Sequence, residues 1–432
     1  MLSIWIIVIF SISFAWIVRK SHREHDASGP LHMYSAVRAI AAFPGMVIET
    51  YNLLFAYPQS VPNRFASTPG FTAYDKETTS YGYVLVPRFS MERGSPIVDL
   101  VEEKTWTVKH TWAMDIKELN KKVKENTIIS NEKYQMFHPH LMQDGSIIFH
   151  DEKGPLVRLS ACNEIMWAAD IKAHHSISVD HEGNIWAPIL RPHKENDDFE
   201  DDRIAKFSPN GDLLYEKPVK DILIENGYRG LIYGVQNISR SIPIEERSVH
   251  LNYIQPALYD GKYWKKGDLL LSLRHTSTVF LYRPSTNKIL WLQVGPWLNQ
   301  HRPDFVGEDS ISVFGNDVVR ADGYRFFEDG HNTIYLYNLS NGTVSTPYDA
   351  IMKRLQVMTA AGGGARILDD GSAIVDEEGA GRLLRISQKG IVWSFVNTID
   401  TQTAGIIGWS RYLSKDEISS ISLECKKNEG NR

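Results

Sequence analysis

The chain has 432 residues, 43% of them hydrophobic and 23% charged, with a net charge of -5. That composition excludes a disordered chain, a collagen and a coiled coil, and length alone predicts two or three ordinary domains. Lys and Arg (47) do not outnumber Asp and Glu (52), so no basic surplus exists for phosphate-backbone contacts and no nucleic-acid partner is expected. Two cysteines, Cys162 and Cys425, are too few for a disulfide framework or a Cys-rich zinc site, and the sequence leaves their pairing open.

In chain order, residues 2–18 come first and carry no charge. As a helix this run spans roughly 25 Å, enough for a thin bilayer. It is read as an uncleaved membrane anchor over residues 1–20, because bulky Trp16, Ile17 and Val18 stand where a signal peptide would carry small residues. Arg19, Lys20 and Arg23 follow it, which by the positive-inside rule alone would leave the body in the cytoplasm. Residues 21–79 form a connector, helix-friendly around Ala36–Ala42 and interrupted by Pro44 and Gly45.

Residues 80–400 repeat a pattern of short β-rich runs separated by Asp-Gly, Asn-Gly and Lys-Gly turns. The clearest copy runs from Gly362 to Asn397. Its Asp370-Gly371 turn, its strand LLRIS and its KGIVW match Asp144-Gly145, LVRLS and NEIMW in the copy that begins at His138. Further copies begin near His174, His250 and Gln300, and a degenerate first copy runs from Ser80 to Asp115. Units of about four strands cannot bury their own faces, and radial stacking solves that. The expectation is an all-β, six-bladed β-propeller, with residues 401–432 as a C-terminal tail.

The unit starts carry titratable residues: His138 and His140, His174 and His175, His250, and His301. In a propeller the inner strand of each unit begins at one mouth of the channel, so these imidazoles should gather there. Arg274 follows the apolar strand LLLSL and should join them. Imidazoles serve as nucleophiles, acids, bases or ligands, and a guanidinium forks onto a tetrahedral oxyanion. Together they point to transfer or hydrolysis of an anionic group.

These residues give the chain a resemblance to the bacterial arylsulfate sulfotransferases. The specific pieces are His250-Leu251-Asn252, Ser272-Leu273-Arg274-His275, Asn287 to Trp291, Gln300-His301, Phe314 to Asp317, and Thr359 to Gly371, with Gly82–Leu85 and Val108–Trp112 at the front. The resemblance implies a propeller that moves a sulfuryl group from an aryl sulfate to a phenol, without nucleotide or other cofactor, through a sulfohistidine. By the same resemblance His301 is the nucleophile and Arg274 and His250 line the sulfate. Asn252 lies beside them, His175 is the further histidine with His174 as its alternative, and Thr359 lies near the anion. Protonated His250 or His175 would supply positive charge next to Arg274. The family's Phe-Asp-Asn-Gly element reads Phe314-Gly315-Asn316-Asp317 here, and its Ser-Ser-Arg element reads Ser272-Leu273-Arg274. The resemblance also implies a body outside the cytoplasm, against the charge rule.

Other features have plainer readings. Gly362-Gly363-Gly364 lacks the Lys-Ser/Thr of a phosphate loop and is read as close strand packing at the channel. Trp167, Trp291 and Trp393 are read as core, as are Trp112, Trp186 and Trp297, which could otherwise line an aryl pocket. Two rival functions remain. One is a catalytically silent propeller used for binding or assembly. The other is a hydrolase with a metal on His175, His250 and His301.

Overall fold

The computed structural model describes residues 13, 60–75, 80–123, 134–191, 201–233, 249–321 and 324–425. The chain divides into two compact units, Met1–Pro58 and Gln59–Arg432. The expected anchor and its orientation lie outside the described residues, Ser13 apart. Among the described residues no helix is long and apolar enough to cross a membrane.

The body is all-β and propeller-like. Each sequence repeat becomes an antiparallel meander because its turns hold short β-rich segments in order. Phe137–Leu141, Ile147–His150, Gly154–Leu159 and Ile165–Ala173 pair as neighbours. Leu251–Pro256, Leu269–Leu273, Thr278–Arg283 and Lys288–Val294 do the same. A buried arginine fastens the repeated Asp-Gly-Ser turn. Arg158 donates from Nε to Ser146 Oγ (2.8 Å) and from Nη2 to Asp144 Oδ2 (2.8 Å). Arg385 repeats this on Ser372 (2.9 Å) and Asp370 (2.6 Å).

The sequence predicts six separate sheets, and hydrogen bonding corrects this. Among the described residues there are five large sheets, of four, eight, four, four and five strands, with two two-stranded ones. The eight-stranded sheet forms because Ile189 and Leu190 pair with Ala173 and Lys172, joining two successive four-strand runs. The five-stranded sheet gains Gly70–Ala73 from the expected connector, paired to Trp393–Val396.

Residues 401–432 are likewise more than a tail. Thr403–Gly405 pairs with Ser60–Pro62, and Arg411–Leu413 adds an inner strand beside Tyr83–Leu85. A disulfide joins Cys162 to Cys425 and closes a loop across 263 positions. Apolar clusters fill the spaces between sheets. Trp112, Trp186, Trp297 and Trp393 are buried there, so these four indoles are core.

A histidine cluster at the hub

The first strands of successive units pack side by side at the hub. Close to the start of each one, a residue takes left-handed backbone: His138 (φ 45°), His175 (57°), His250 (57°), Arg302 (44°), Gly363 (72°) and Trp409 (62°). Only glycine enters this region freely, and a larger residue there costs roughly 1–3 kcal/mol. Ladder register shifts accompany it between Phe137 and His140, Leu251 and Tyr253, and His301 and Asp304. Such bulges re-aim side chains. Here they turn side chains from distant repeats toward one another.

His175 and His250 meet Nε2 to Nε2 at 3.1 Å. His174 Nδ1 lies 2.8 Å from His175 Nδ1, so three imidazoles form a chain. The ring of His301 lies 6.3 Å from that of His175, and His275 packs 4.4 Å from His250. Arg274 stands close enough to depress the pKa of both His250 and His301. The expected set of His175, His250, Arg274 and His301 therefore assembles in one place. His175 is the member in contact with His250, and His174 lies behind it with Nε2 at 3.6 Å from Asp202 Oδ1. His175 and His250 are half-buried, whereas His301, His174 and Arg274 are buried.

Three side chains tie the sequence elements together. Asn252 donates from Nδ2 to the Gln300 carbonyl (2.7 Å), which fixes the peptide before His301. Gln300 donates from Nε2 to Ser272 Oγ (2.9 Å) and to the Leu273 carbonyl (3.1 Å), which fixes the strand before Arg274. Asn316 is the third. Its Nδ2 donates to the Thr359 carbonyl (2.9 Å) and the Gly362 carbonyl (3.0 Å), which leaves Oδ1 as acceptor. That oxygen lies 2.5 Å from His301 Nδ1. The His301 proton is thereby assigned to Nδ1, and Nε2 keeps the free lone pair.

Two expectations change at this point. Thr359 is buried, and its hydroxyl is spent on the Ala361 carbonyl (2.9 Å) and the Gly379 N–H (3.1 Å). It braces Asn316 through its carbonyl and does not present its side chain to an anion. Nor are His250 and His175 cationic. Burial, followed by His275 and Arg274, holds His250 at about 2. Burial, followed by the neighbouring imidazoles, holds His175 well below the ordinary histidine range. Burial, with Arg274 next, holds His301 at about 3 against the bond to Asn316. All three are neutral near pH 7, and Arg274 supplies the positive charge.

Sequence reasoning missed Asn316 and Trp409. Trp409 packs against His138 (5.2 Å), His301 (5.6 Å) and His175 (6.1 Å), and its Nε1 donates to Glu378 Oε2 (2.8 Å). Burial raises Glu378 to about 7. Asn316 lies in the Phe314–Asp317 departure from the family pattern, which marked the position without giving it a role. Trp409 lies past the last repeat, where no signal pointed to it. Among the described residues no group of three or more His, Cys, Asp or Glu is placed to hold a metal.

A propeller-like body with imidazoles and a guanidinium gathered at its hub defines the class. The arylsulfotransferase (ASST) family model matches residues 138–398, more than half of the chain, and the protein belongs to that family. Among solved structures the chain is similar to a protein of unknown function from Bacteroides caccae, with 13% identity, a TM-score of 0.48, and coverage of 78% of this chain and 99% of that one. It is also similar to virginiamycin B lyase from Staphylococcus aureus, with 13% identity, a TM-score of 0.33, and coverage of 61% and 71%. No curated protein matches.

Proposed function

We propose that the protein moves a sulfuryl group from an aryl sulfate to a phenol through a sulfohistidine on His301. The observation that carries this reading is the bond from His301 Nδ1 to Asn316, which leaves Nε2 as the nucleophilic nitrogen of a neutral ring that Arg274 is close enough to influence. In the first half-reaction Nε2 attacks sulfur, the N–S bond forms and the S–O bond to the aryl group breaks. Charge on the sulfuryl oxygens is met by the Arg274 fork. The departing phenolate takes a proton from His250, which is left neutral beside His175 until the acceptor arrives. An arriving sulfate offsets part of the burial cost of a protonated imidazole, so His250 becomes chargeable when it is needed. In the second half-reaction the acceptor phenol gives its proton back to His250, its oxygen attacks sulfur, and the N–S bond breaks.

The body would work outside the cytoplasm, held by the uncharged segment at residues 2–18. The disulfide between Cys162 and Cys425 suits an oxidising compartment.

The test is release of nitrophenol from 4-nitrophenyl sulfate by the pure full-length protein, with and without phenol. Phenol-dependent release and transfer of isotopic sulfate onto the protein are expected, and His301→Ala should abolish both. Absence of phenol-dependent release from the wild type overturns the transfer. Labelling that survives His301→Ala moves the nucleophile elsewhere.

A further inference from the structure

Further along the same inner strands lies a cavity of about 780 Å3. Phe137, Tyr253 and Trp409, packed together, stand between it and the histidine cluster. Its walls carry three guanidiniums, from Arg302, Arg366 and Arg411. Arg302 pairs with Asp376 at 3.1 Å. Arg366 donates from Nη1 to the Tyr412 carbonyl (3.2 Å), and its nearest carboxylate, Asp304, is 3.9 Å away. Arg411 donates to the Pro139 carbonyl (3.0 Å) and the Ile177 carbonyl (2.7 Å), and among the described residues no ion pair joins it to a carboxylate.

Clamping of neighbouring strands explains part of this arrangement. It does not explain why three cations share one cavity. The crowding has a visible cost at Arg411. Ile177 donates its N–H to His138 Nδ1, so the His138 proton sits on Nε2, only 3.3 Å from the Arg411 guanidinium. Burial, with Arg302 and Arg366 adding to it, lowers Arg411 to about 10. Three carboxylates, Asp304, Asp369 and Glu417, line the cavity as well; Glu417 caps the Ser414 N–H at 2.7 Å and lies close enough to act on Arg411. His140 Nδ1 is buried with no partner among the described residues.

The remaining lining describes the ligand. An inorganic anion would fill a small fraction of this volume, which lies in the range of small-molecule sites. Tyr253, Tyr259, Phe305 and Leu258 supply aromatic and apolar wall, while Ser178 and Gln255 supply polar groups. We propose that this cavity binds a small organic anion, its charged headgroup on Arg302, Arg366 and Arg411 and its apolar body against the tyrosines. The site does not depend on the sulfuryl-transfer reading, because it shares no residue with the histidine cluster.

Calorimetric titration of the full-length protein with benzoate, phenyl phosphate and inorganic phosphate tests it. The titrations are run on wild type and on the double variant His301→Ala, Arg274→Ala, which removes anion binding at the histidine end. In the double variant at least one of the two organic anions should bind at one site per chain, at least about tenfold more tightly than inorganic phosphate, and wild type should show the same site. Arg366→Gln should weaken that binding by about tenfold or more, the loss expected for one charge-assisted fork. Arg366 is partly exposed, so this change leaves the core intact. Three results overturn the proposal: no saturable binding of either organic anion to wild type, inorganic phosphate bound as tightly, or organic-anion binding unchanged by Arg366→Gln. Binding that vanishes in the double variant but survives Arg366→Gln would assign the anion to the histidine end and also overturns it.

Discussion

The two ends of the inner strands handle buried charge in opposite ways. At the histidine end, imidazoles lose their protons on burial, and His174 and His301 sit at about 3 and His250 at about 2. At the other end, arginine cannot lose its proton at working pH, so Arg302 and Arg411 are met by a carboxylate and by carbonyls. The single step from His301 to Arg302 crosses from one regime to the other. One kind of basic hub therefore yields a neutral nucleophile at one end and an arginine-lined cavity at the other. Arg274 is the guanidinium on the histidine side, beside the ring that would carry the sulfuryl group.

The contrast breaks most severely if Arg274 loses its fork. Arg274→Lys should lower kcat/KM for 4-nitrophenyl sulfate by about 1000-fold, since a point charge cannot bridge two sulfuryl oxygens. Steady-state nitrophenol release measures it. A loss below about tenfold would mean that the developing charge is met by another group.

Acid attacks the buried imidazoles, most of which lie at the histidine end, with His140 in the arginine cavity among them. His150 at about 4, His174, His250 and His301 all have folded pKa values below the unfolded value near 6.5. The unfolded chain binds those protons first, so stability is intact above about pH 6.5 and falls as pH drops toward the folded values. Each group contributes about 1.4 kcal/mol per pH unit across that window. Thermal melts between pH 7.5 and 5 should show Tm falling steeply from about pH 6.5. The acid limb of kcat/KM should follow unfolding, because His301 itself stays neutral to about 3. A flat Tm would mean that these rings are already hydrated and ordinary.

Asn316 tests the tautomer rather than the charge. Asn316→Asp keeps an acceptor for His301 Nδ1 but sets carboxylate oxygen against the Thr359 and Gly362 carbonyls. Both Asn316→Asp and Asn316→Ala should lower kcat by about 100-fold with KM nearly unchanged, as expected for a positioning residue. The Asp variant should also raise the pKa of His301 and bring an acid limb into the kcat profile above pH 5. A variant that melts earlier yet keeps kcat and its pH profile would make Asn316 purely structural.

These tests also mark what the sequence made legible. The Asp144–Arg158 and Asp370–Arg385 turns were readable because one physical device, an arginine fastened to a turn, recurs at nearly the same spacing, 14 and 15 positions. His175, His250 and His301 were readable for a similar reason, since each opens a repeat. The strand Arg411–Leu413 was not, because it is three residues long and pairs with a partner more than 300 positions away. Local propensity says nothing about such a pairing, and Trp409 and Arg411 were hidden with it. Thr359 was named for its side chain, whereas the structure uses its carbonyl, which accepts from Asn316, and its hydroxyl is bonded to the Ala361 carbonyl.

That hidden segment supplies the gentlest test. Trp409 serves the histidine end and Arg411 the arginine end, and the disulfide at Cys425 anchors the same stretch of chain to Cys162. A cross-link that closes so long a loop restricts mainly the unfolded chain and typically contributes about 2–4 kcal/mol. Paired Cys162→Ser and Cys425→Ser changes should therefore lower stability to denaturant by roughly that amount. Neither sulfur touches the hub, so kcat/KM should stay within about twofold while the protein remains folded, in line with surface changes away from a site. If the variant kept its stability but lost turnover, the cross-link would be holding Trp409 against His175 and His301 in the native state. The closing segment would then belong to the site's geometry and not only to the body's resistance to unfolding.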